Sequence, residues 1–365
     1  MMKIIIKAAK FFFYLISLIP LRSVHNKKPS HLFIDFISRF YVQGQTVKIK
    51  FGINRGLKWH IPQSSDNELY AMDYERLEKY LIALGLYEYK LQKALKRLIK
   101  SGQICYDIGG NIGFFTVLMS RIIGSRGKVY VFEPMVSNVE ILKIQIKNNN
   151  LDNVAIYNKA VTSQNTRLKF IEHNNRSIGQ IADNGLIFFE INNALDRFSE
   201  ELLPENIELW KENKFNLFIN GRIDSLINEI SMELQQIYGN QSFKSERINL
   251  LWEQLRQKRR RFSSFTISEI DGICIDDMVD NTINHPDFIK IDIEGAEALA
   301  LNGMIKTLTK YHPTIFIELH SSNLAVEVKE ILGKVGGYEI FDLNFNYVDY
   351  IDKLPGIICI PNIYG

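Results

Sequence analysis

Cysteine is scarce. Cys105, Cys274 and Cys359 are the three among 365 residues, far apart and each flanked by isoleucine. An odd set without C-x-x-C or paired Cys/His spacing supports neither a disulfide framework nor a zinc tetrahedron, so the expectation is buried, reduced thiols in a cytosolic compartment. Long apolar runs are missing as well. The strongest, residues 11–21, is about half of the roughly 20 residues that span a bilayer, and it lacks a small-x-small cleavage pattern before the polar stretch that follows. Lys3, Lys7 and Lys10 before it, and Arg22, Lys27 and Lys28 after it, leave two readings open. One is a helix at a membrane surface, its lysines meeting anionic headgroups; the other is a helix packed on the protein's own core. The expected location is cytoplasmic, with residues 1–28 a candidate peripheral membrane contact. Excess charge is small too: a formal +3 falls short of the basic field that nucleic-acid binders concentrate on one face. Internal repeats and low-complexity tracts are absent.

What remains is a chain 46% hydrophobic and 23% charged, near the globular average and longer than one ordinary domain needs. Residues 1–30 read as a basic and apolar helix, and 31–102 as a lead-in of hairpin and helices. The hairpin comes from "VKIKF" and "LKWHI" around Asn54-Arg55-Gly56. The helical stretch is marked by Leu77, Tyr80, Leu81, Leu84, Leu91, Ala94, Leu95 and Leu98, interrupted at Gly85. From residue 103 short apolar strands alternate with amphipathic helices: strand 103–110, helix 114–123, strand 128–132, helix 135–148 and strand 154–161. The alternation resumes with strand 288–292, helix 296–309, strand 314–319, helix 324–335 and strands 338–343 and 356–360. This is the pattern of parallel βαβ units, and right-handed crossovers fold both series into one doubly wound α/β sheet. Residues 103–182 are then the first half of the domain and 266–365 the second. Between them, 183–265 read as an inserted αα-hairpin, with Ile223, Leu226, Ile227, Ile230, Leu234 and Ile237 on one helical face. Those apolar faces need a partner, which makes the insertion a cap or a self-association arm and the protein a candidate homo-oligomer. The run Arg256 to Arg261 ends it, most simply as a solvated helix C-terminus.

Chemistry concentrates where the first strand turns into a helix, at Asp107-Ile108-Gly109-Gly110-Asn111-Ile112-Gly113. Glycines let the backbone approach a ligand, and the helix start offers unpaired N–H groups. The dinucleotide fingerprint G-x-G-x-x-G is missing, because Asn111 and Phe114 stand where its second and third glycines belong. The spacing of Asp107, Gly109 and Gly113 suits S-adenosylmethionine instead, a phosphate-free ligand with an ammonium, a carboxylate and a sulfonium. Glu133 ends the next strand, where a carboxylate accepts both hydroxyls of a ribose.

With these residues in view, the sequence resembles the FkbM-type methyltransferases, S-adenosylmethionine enzymes that mostly O-methylate sugars and other natural-product hydroxyls. The resemblance rests on residues 85–116, 129–161, "ICIDDMV" at 273–279, "PDFIKIDIEGAEALALNGM" at 286–304 and "PTIFIELH" at 313–320. It covers about half the chain, leaving out 1–60 and 183–265. It implies a Rossmann-like class I methyltransferase fold with a mostly parallel seven-stranded sheet and helices on both faces. It also implies that Asp107, Gly109, Gly110, Asn111 and Gly113 form the cofactor loop, Glu133 the ribose acid and Asn158 an adenine neighbour. Tyr87 and Glu88 would close over the site, and Lys290, Asp292, Glu294 and Glu297 would face the transferring methyl. Gly110 departs from the alanine more usual there, a change expected to matter little.

The acids carry their own argument. A hydroxyl acceptor must lose a proton to attack a sulfonium methyl, so a base is needed. Asp292 and Glu294 leave one strand end, and Glu318 and His320 leave the next; residues at i and i+2 share a face. The expected base is Asp292 or His320, with Lys290 fixing a carboxylate. No resident metal is required, although paired carboxylates can hold a divalent cation. The expected partner is a small-molecule or glycan acceptor; lipid, metabolite or nucleic-acid acceptors and a non-catalytic scaffold are the alternatives. Nucleic acid is disfavoured because the strand ends in "DIEG" rather than an N-P-P-Y-type loop.

Overall fold

The computed structural model of the chain describes residues 44–62, 81–173, 179–181, 213–214, 229–230, 232–233 and 265–362. The lead-in begins with an antiparallel hairpin, β1 (Thr46–Lys48) and β2 (Lys58–His60). Residues 81–84 are helical, and helix α1 (Tyr89–Leu98) follows after Gly85. The βαβ series then runs β3 (Ile104–Ile108), α2 (Phe114–Ile123), β4 (Lys128–Phe132), α3 (Val136–Asn149) and β5 (Val154–Tyr157). It resumes with β10 (Phe288–Ile291), α4 (Glu297–Asn302), α5 (Ile305–Tyr311), β11 (Thr314–Glu318), α6 (Ser322–Val335), β12 (Tyr338–Phe341) and β13 (Gly356–Pro361).

One seven-stranded sheet contains these strands in the order β12-β13-β11-β10-β3-β4-β5. The five from β11 to β5 are mutually parallel, while β13 runs antiparallel between β11 and β12. Near-continuous apolar runs such as "FIKI", buried at all four positions of β10, form strands because both faces are covered. On one face Tyr106, Ile108 and Ile291 pack with Leu301, Leu308 and Val328. On the other, Cys105, Val129 and Phe288 pack with Leu91, Leu95 and Leu118. The strand order changes direction at β3, since β4 and β5 lie to one side and β10 and β11 to the other. The crevice at that switch point is where open α/β sheets bind ligands.

The lead-in shares this core. Trp59 is fully buried with its ring edge-on to Phe114, centroids 5.8 Å apart. Two side-chain amides of α3 then extend β2 as a neighbouring strand would. Gln145 accepts from His60 N at 2.8 Å and donates to His60 O at 2.7 Å; Asn149 repeats the pair at Lys58, at 2.8 and 2.7 Å.

Three sequence expectations need correction. The strand 154–161 breaks in two: β5 ends at Tyr157, and β6 (Ala160–Val161) turns into a second sheet with β7 (Thr166–His173), β8 (Gly179–Ile181) and β9 (Phe265–Ile273), ordered β6-β9-β7-β8. Neither β7 nor β9 stands in the sequence reading, yet they pair antiparallel from Thr166↔Gly272 to His173↔Phe265. The helix 296–309 is also two helices, broken at Gly303, where a Cβ would lie 2.0 Å from the Thr162 carbonyl oxygen. That oxygen demands glycine, and the Gly303 carbonyl is taken by Asp276 N at 3.0 Å and Cys274 Sγ at 3.2 Å rather than by the next helical turn. Alanine at 110 would not change little either, since its Cβ would fall 2.2 Å from Val131 Cγ2.

The three cysteines are buried and free, as expected. Burial pushes the thiols of Cys105 and Cys359 far up, which keeps them inert. The N-terminal helix and the run Arg256 to Arg261 lie outside the described residues, as does most of the proposed αα-hairpin. Within the latter, Ile230 is buried, and Lys214 Nζ pairs with Glu229 at 2.9 Å and Glu233 at 2.7 Å. Among the described residues no helix is long and apolar enough to cross a membrane.

Gln145→Ala removes both bonds to His60 and strands a part-buried N–H and C=O. Urea unfolding should show a loss of about 1–3 kcal/mol, and unchanged stability would mean that the amide does not fix the hairpin.

Candidate active site

The loop after β3 is shaped by close approach. Gly109 has φ +82°, and a Cβ there would meet the Asp292 carbonyl oxygen at 1.9 Å, so the loops leaving β3 and β10 touch. Gly113 has φ +95°, and its Cβ would strike Leu142 Cδ1 at 2.4 Å. Both positions therefore demand glycine on backbone conformation and space together. Asn111 takes the left-handed region at φ 48°, where its own Oδ1 accepts from Ile112 N at 2.7 Å. Helix α2 starts behind Gly113 with no side-chain cap, leaving its first N–H groups to water or a ligand.

Glu133, just beyond β4, ties this loop to the next one. Its Oε2 accepts from Asn111 N at 2.8 Å, and its Oε1 from Met135 N at 3.0 Å and Asn138 Nδ2 at 3.3 Å. A carboxylate has about four lone-pair sites, so the three donors leave capacity for a ligand hydroxyl. Burial pushes its pKa up to about 7, against the opposing pull of the Met135, Asn111 and Asn138 donors. Asn158 sits at this turn but is exposed, and its Nδ2 donates to the carbonyls of Glu133 and Pro134 at 2.9 and 2.8 Å. It braces the turn, and its Oδ1 is what remains to offer an adenine.

The acids gather around one lysine. Asp107 and Lys290 are register partners on β3 and β10, so their side chains share a face. Lys290 Nζ is 3.4 Å from Asp107 Oδ1 and 3.3 Å from Asp292 Oδ2, donates to Gly109 O at 3.3 Å, and lies 5.4 Å from the Phe115 ring centroid. Burial alone would lower the ammonium's pKa, but Asp292, Asp107 and Glu318 outweigh it and hold Lys290 above the usual lysine value. Burial raises Asp107, although Lys290 and a 2.5 Å bond from Thr116 Oγ1 oppose it. Asp292 is 25% exposed at its side chain and is held low, because Lys290 and His320 overcome its desolvation.

His320 completes the cluster at 1% side-chain exposure. Its Nδ1 is 2.7 Å from Glu297 Oε1, and its Nε2 is 3.3 Å from Glu294 Oε2 and 3.9 Å from Asp292 Oδ1. Burial disfavours the charged ring, yet Glu294 and Glu297 beside its nitrogens raise it well above the usual histidine value. A ring held charged is a proton donor, so of the two expected bases Asp292 is the one this environment equips. Glu318, at the end of β11, is pushed well up by burial and by Asp292. Glu88 also contributes to that shift, which brings it to the same strand ends; it caps α1 in the left-handed region at φ 43°. The Tyr87 ring packs edge-on to Phe114, centroids 5.5 Å apart.

The structure thus unites Asp107, Lys290, Asp292, Glu294, Glu297, Glu318 and His320 in one group, with Glu133 and Asn111 beside the loop. It adds Thr116, Phe115 and Asn138, which the sequence reading did not single out. Thr116 and Asn138 each lie within the first turn of a helix that follows a named acid, and that spacing was the available signal. The second sheet closes one side: Phe170, Leu168 and Ile270 pack with Met135, Ile293 and Ala296, the segments that follow Glu133 and Asp292.

The sequence matches the methyltransferase FkbM domain family over residues 107–340. Among solved structures, the chain is similar to methyltransferase FkbM from Methylobacillus flagellatus KT, at 14% identity and TM-score 0.37, covering 81% of this chain and 55% of that one. It thus spans about half the length of that protein. It is also similar to a SAM-dependent methyltransferase from Aquifex aeolicus, at 12% identity and TM-score 0.33, covering 74% and 87% of the two chains. A SAM-dependent O-methyltransferase from Thermotoga maritima stands at 10% identity and TM-score 0.33, covering 75% and 64%. No curated protein matches the sequence. Because the family match starts at the acid of the glycine loop and runs through both acid-bearing strand ends, the chain belongs to the FkbM methyltransferase domain family, with the Rossmann-like class I fold and S-adenosylmethionine as its methyl donor.

Proposed function

We propose that this protein O-methylates a hydroxyl of a sugar, glycan or related natural product. One observation carries the reading: a glycine loop adjoins reachable carboxylates, with the side chains of Asp292 and Glu294 25% and 28% exposed. When bound, S-adenosylmethionine supplies an electrophilic methyl on a sulfonium. The residues present fit it, since Glu133 keeps acceptor capacity for ribose hydroxyls and Gly109 and Gly113 leave the loop backbone open to close approach. Gly109 and Gly113 hold the loop in the one conformation that their neighbours permit.

On the acceptor side, Glu318 at the end of β11 is pushed toward its protonated form, and the candidate bases are Asp292 and Glu294, just beyond β10. A hydroxyl presented to them hands its proton to a carboxylate and becomes nucleophilic, a contribution of about 10²- to 10⁴-fold. Several carboxylates side by side also suit a ligand with several hydroxyls, because ionised acids are pure acceptors. Lys290 keeps Asp292 ionised and fixed, and the second sheet walls the crevice from one side.

Binding of the donor should depend on pH through Glu133. Its pKa of about 7 means that the acid is protonated below that value and accepts ribose hydroxyls fully only above it. Calorimetry with S-adenosylmethionine should therefore show affinity rising up to about 10-fold between roughly pH 6 and pH 8. Glu133→Gln should abolish that dependence and weaken binding about 10- to 100-fold; a variant that binds like the native chain would remove Glu133 from the donor site.

A labelled-methyl screen over nucleotide sugars and glycans tests the acceptor. The expected product is a saccharide methyl ether, and Asp292→Asn and Glu294→Gln should each lower its formation about 10²- to 10⁴-fold while donor affinity stays within a few-fold. Label found only on lipid or nucleic acid, or full turnover by both variants, would overturn the reading.

A further inference from the structure

Lys290 lies against one oxygen of Asp292, and Glu318 shares a hydrogen bond with the same carboxylate. Lys290 Nζ lies against Oδ2, while Oδ1 faces His320 Nε2 at 3.9 Å. That nitrogen is buried, and Glu294 Oε2 is 3.3 Å away. Both separations exceed the roughly 2.7–2.9 Å of a charge-assisted hydrogen bond. The wider of the two, to Asp292, leaves room for an ion between the two ligand atoms after a small side-chain adjustment. Asp292, Glu318 and His320 each present one ligand atom, all within 4.8 Å of one another.

The far side of the ring is arranged to match. Nδ1 stands 2.7 Å from Glu297 Oε1, and Glu297 is fully buried. The same oxygen accepts from Gly295 N at 3.2 Å and Ile293 N at 3.4 Å, so the carboxylate is pinned by the loop that carries Glu294. A carboxylate fixing one imidazole nitrogen while the other is turned toward acids is the outer-shell arrangement of a metal-binding histidine.

We propose that Asp292, Glu318 and His320 bind a divalent cation of the Mn²⁺ or Mg²⁺ class through two carboxylates and one imidazole, leaving other positions for water or an acceptor oxygen. The ion's role rests on the methyltransferase reading: it would seat the acceptor hydroxyl and lower its pKa, with Glu294, outside the ligand set, to receive the proton. Its binding does not rest on that reading. Coordination at Nε2 displaces any proton carried there. Glu297 is a positioning residue that acts through His320.

The test uses the full-length, metal-stripped protein titrated with Mn²⁺ without donor, followed by calorimetry and electron paramagnetic resonance. One saturable site is expected, about 100-fold or more weaker in His320→Ala and in Asp292→Asn, and about 10- to 100-fold weaker in Glu297→Gln. S-adenosylmethionine binding by each variant reports that its fold is intact. No saturable Mn²⁺ binding by a native chain that binds S-adenosylmethionine, or equal binding by His320→Ala and Asp292→Asn, overturns the proposal and leaves the methyltransferase reading standing. A chain that binds Mn²⁺ through these residues but not S-adenosylmethionine supports the cation site and overturns that reading instead.

Discussion

A lysine ammonium cannot be buried alone in a protein interior, because an unpaired charge costs several kcal/mol there even after relaxation. Lys290, 1% exposed, sits in the middle of the sheet, and its partners are the acids on its own strand end and on the next strand. The pairing with Asp107 requires β3 and β10 to stand in register. The pairing with Asp292 orients the first residue of the loop that follows β10. The contact between Gly109 and the Asp292 carbonyl then joins the two loops. Donor loop and acid loop are thus one unit with a charged pin through it, and the crevice is as rigid as the sheet beneath it.

The sequence makes this unit legible because its constraints are local. A glycine loop after an apolar strand, an acid at the next strand end, and alternating acids after "FIKI" each lie within a few residues of the strand that positions them. The doubly wound sheet is legible for the same reason, since each βαβ unit announces itself by period. What escapes depends on contacts across long stretches of chain. β7 does alternate, with Arg167 and Lys169 exposed and Leu168 and Phe170 turned inward, but its partner β9 lies beyond residue 264. The break at Gly303 is invisible in a helical pattern that runs straight through it; it comes from the Thr162 carbonyl opposite and from Asp276 N and Cys274 Sγ, which take the Gly303 carbonyl. Gly110 reads as replaceable until Val131 is placed beside it. His320 reads as a base until Glu294 and Glu297 are found on its two sides.

Charge and space divide the labour at the site. Around the glycine loop, most polar groups already serve the chain: Glu133 holds Asn111 and Met135, and Asn158 holds the turn. These bonds preorganise the cleft, so little has to rearrange when a ligand arrives. Around Lys290 and His320 the acids crowd together, and Asp292 and Glu294 retain contact with solvent. An environment of that kind favours positive charge and hydrogen-bond donors over any anionic group.

The second sheet gives the architecture one further property. The chain leaves the wall of the crevice at Ile181, the end of β8, and re-enters it at Phe265, the start of β9, with β7 between the two strands. Whatever residues 182–264 do between those points, their length is nearly free of consequence for the fold beneath, since loop-closure cost grows only slowly with length. The excursion is like a tool head clamped in a fixed chuck: it is open to exchange, lengthening or trimming over evolutionary time, while the grip at its base, and the donor cleft that grip borders, stay as they are.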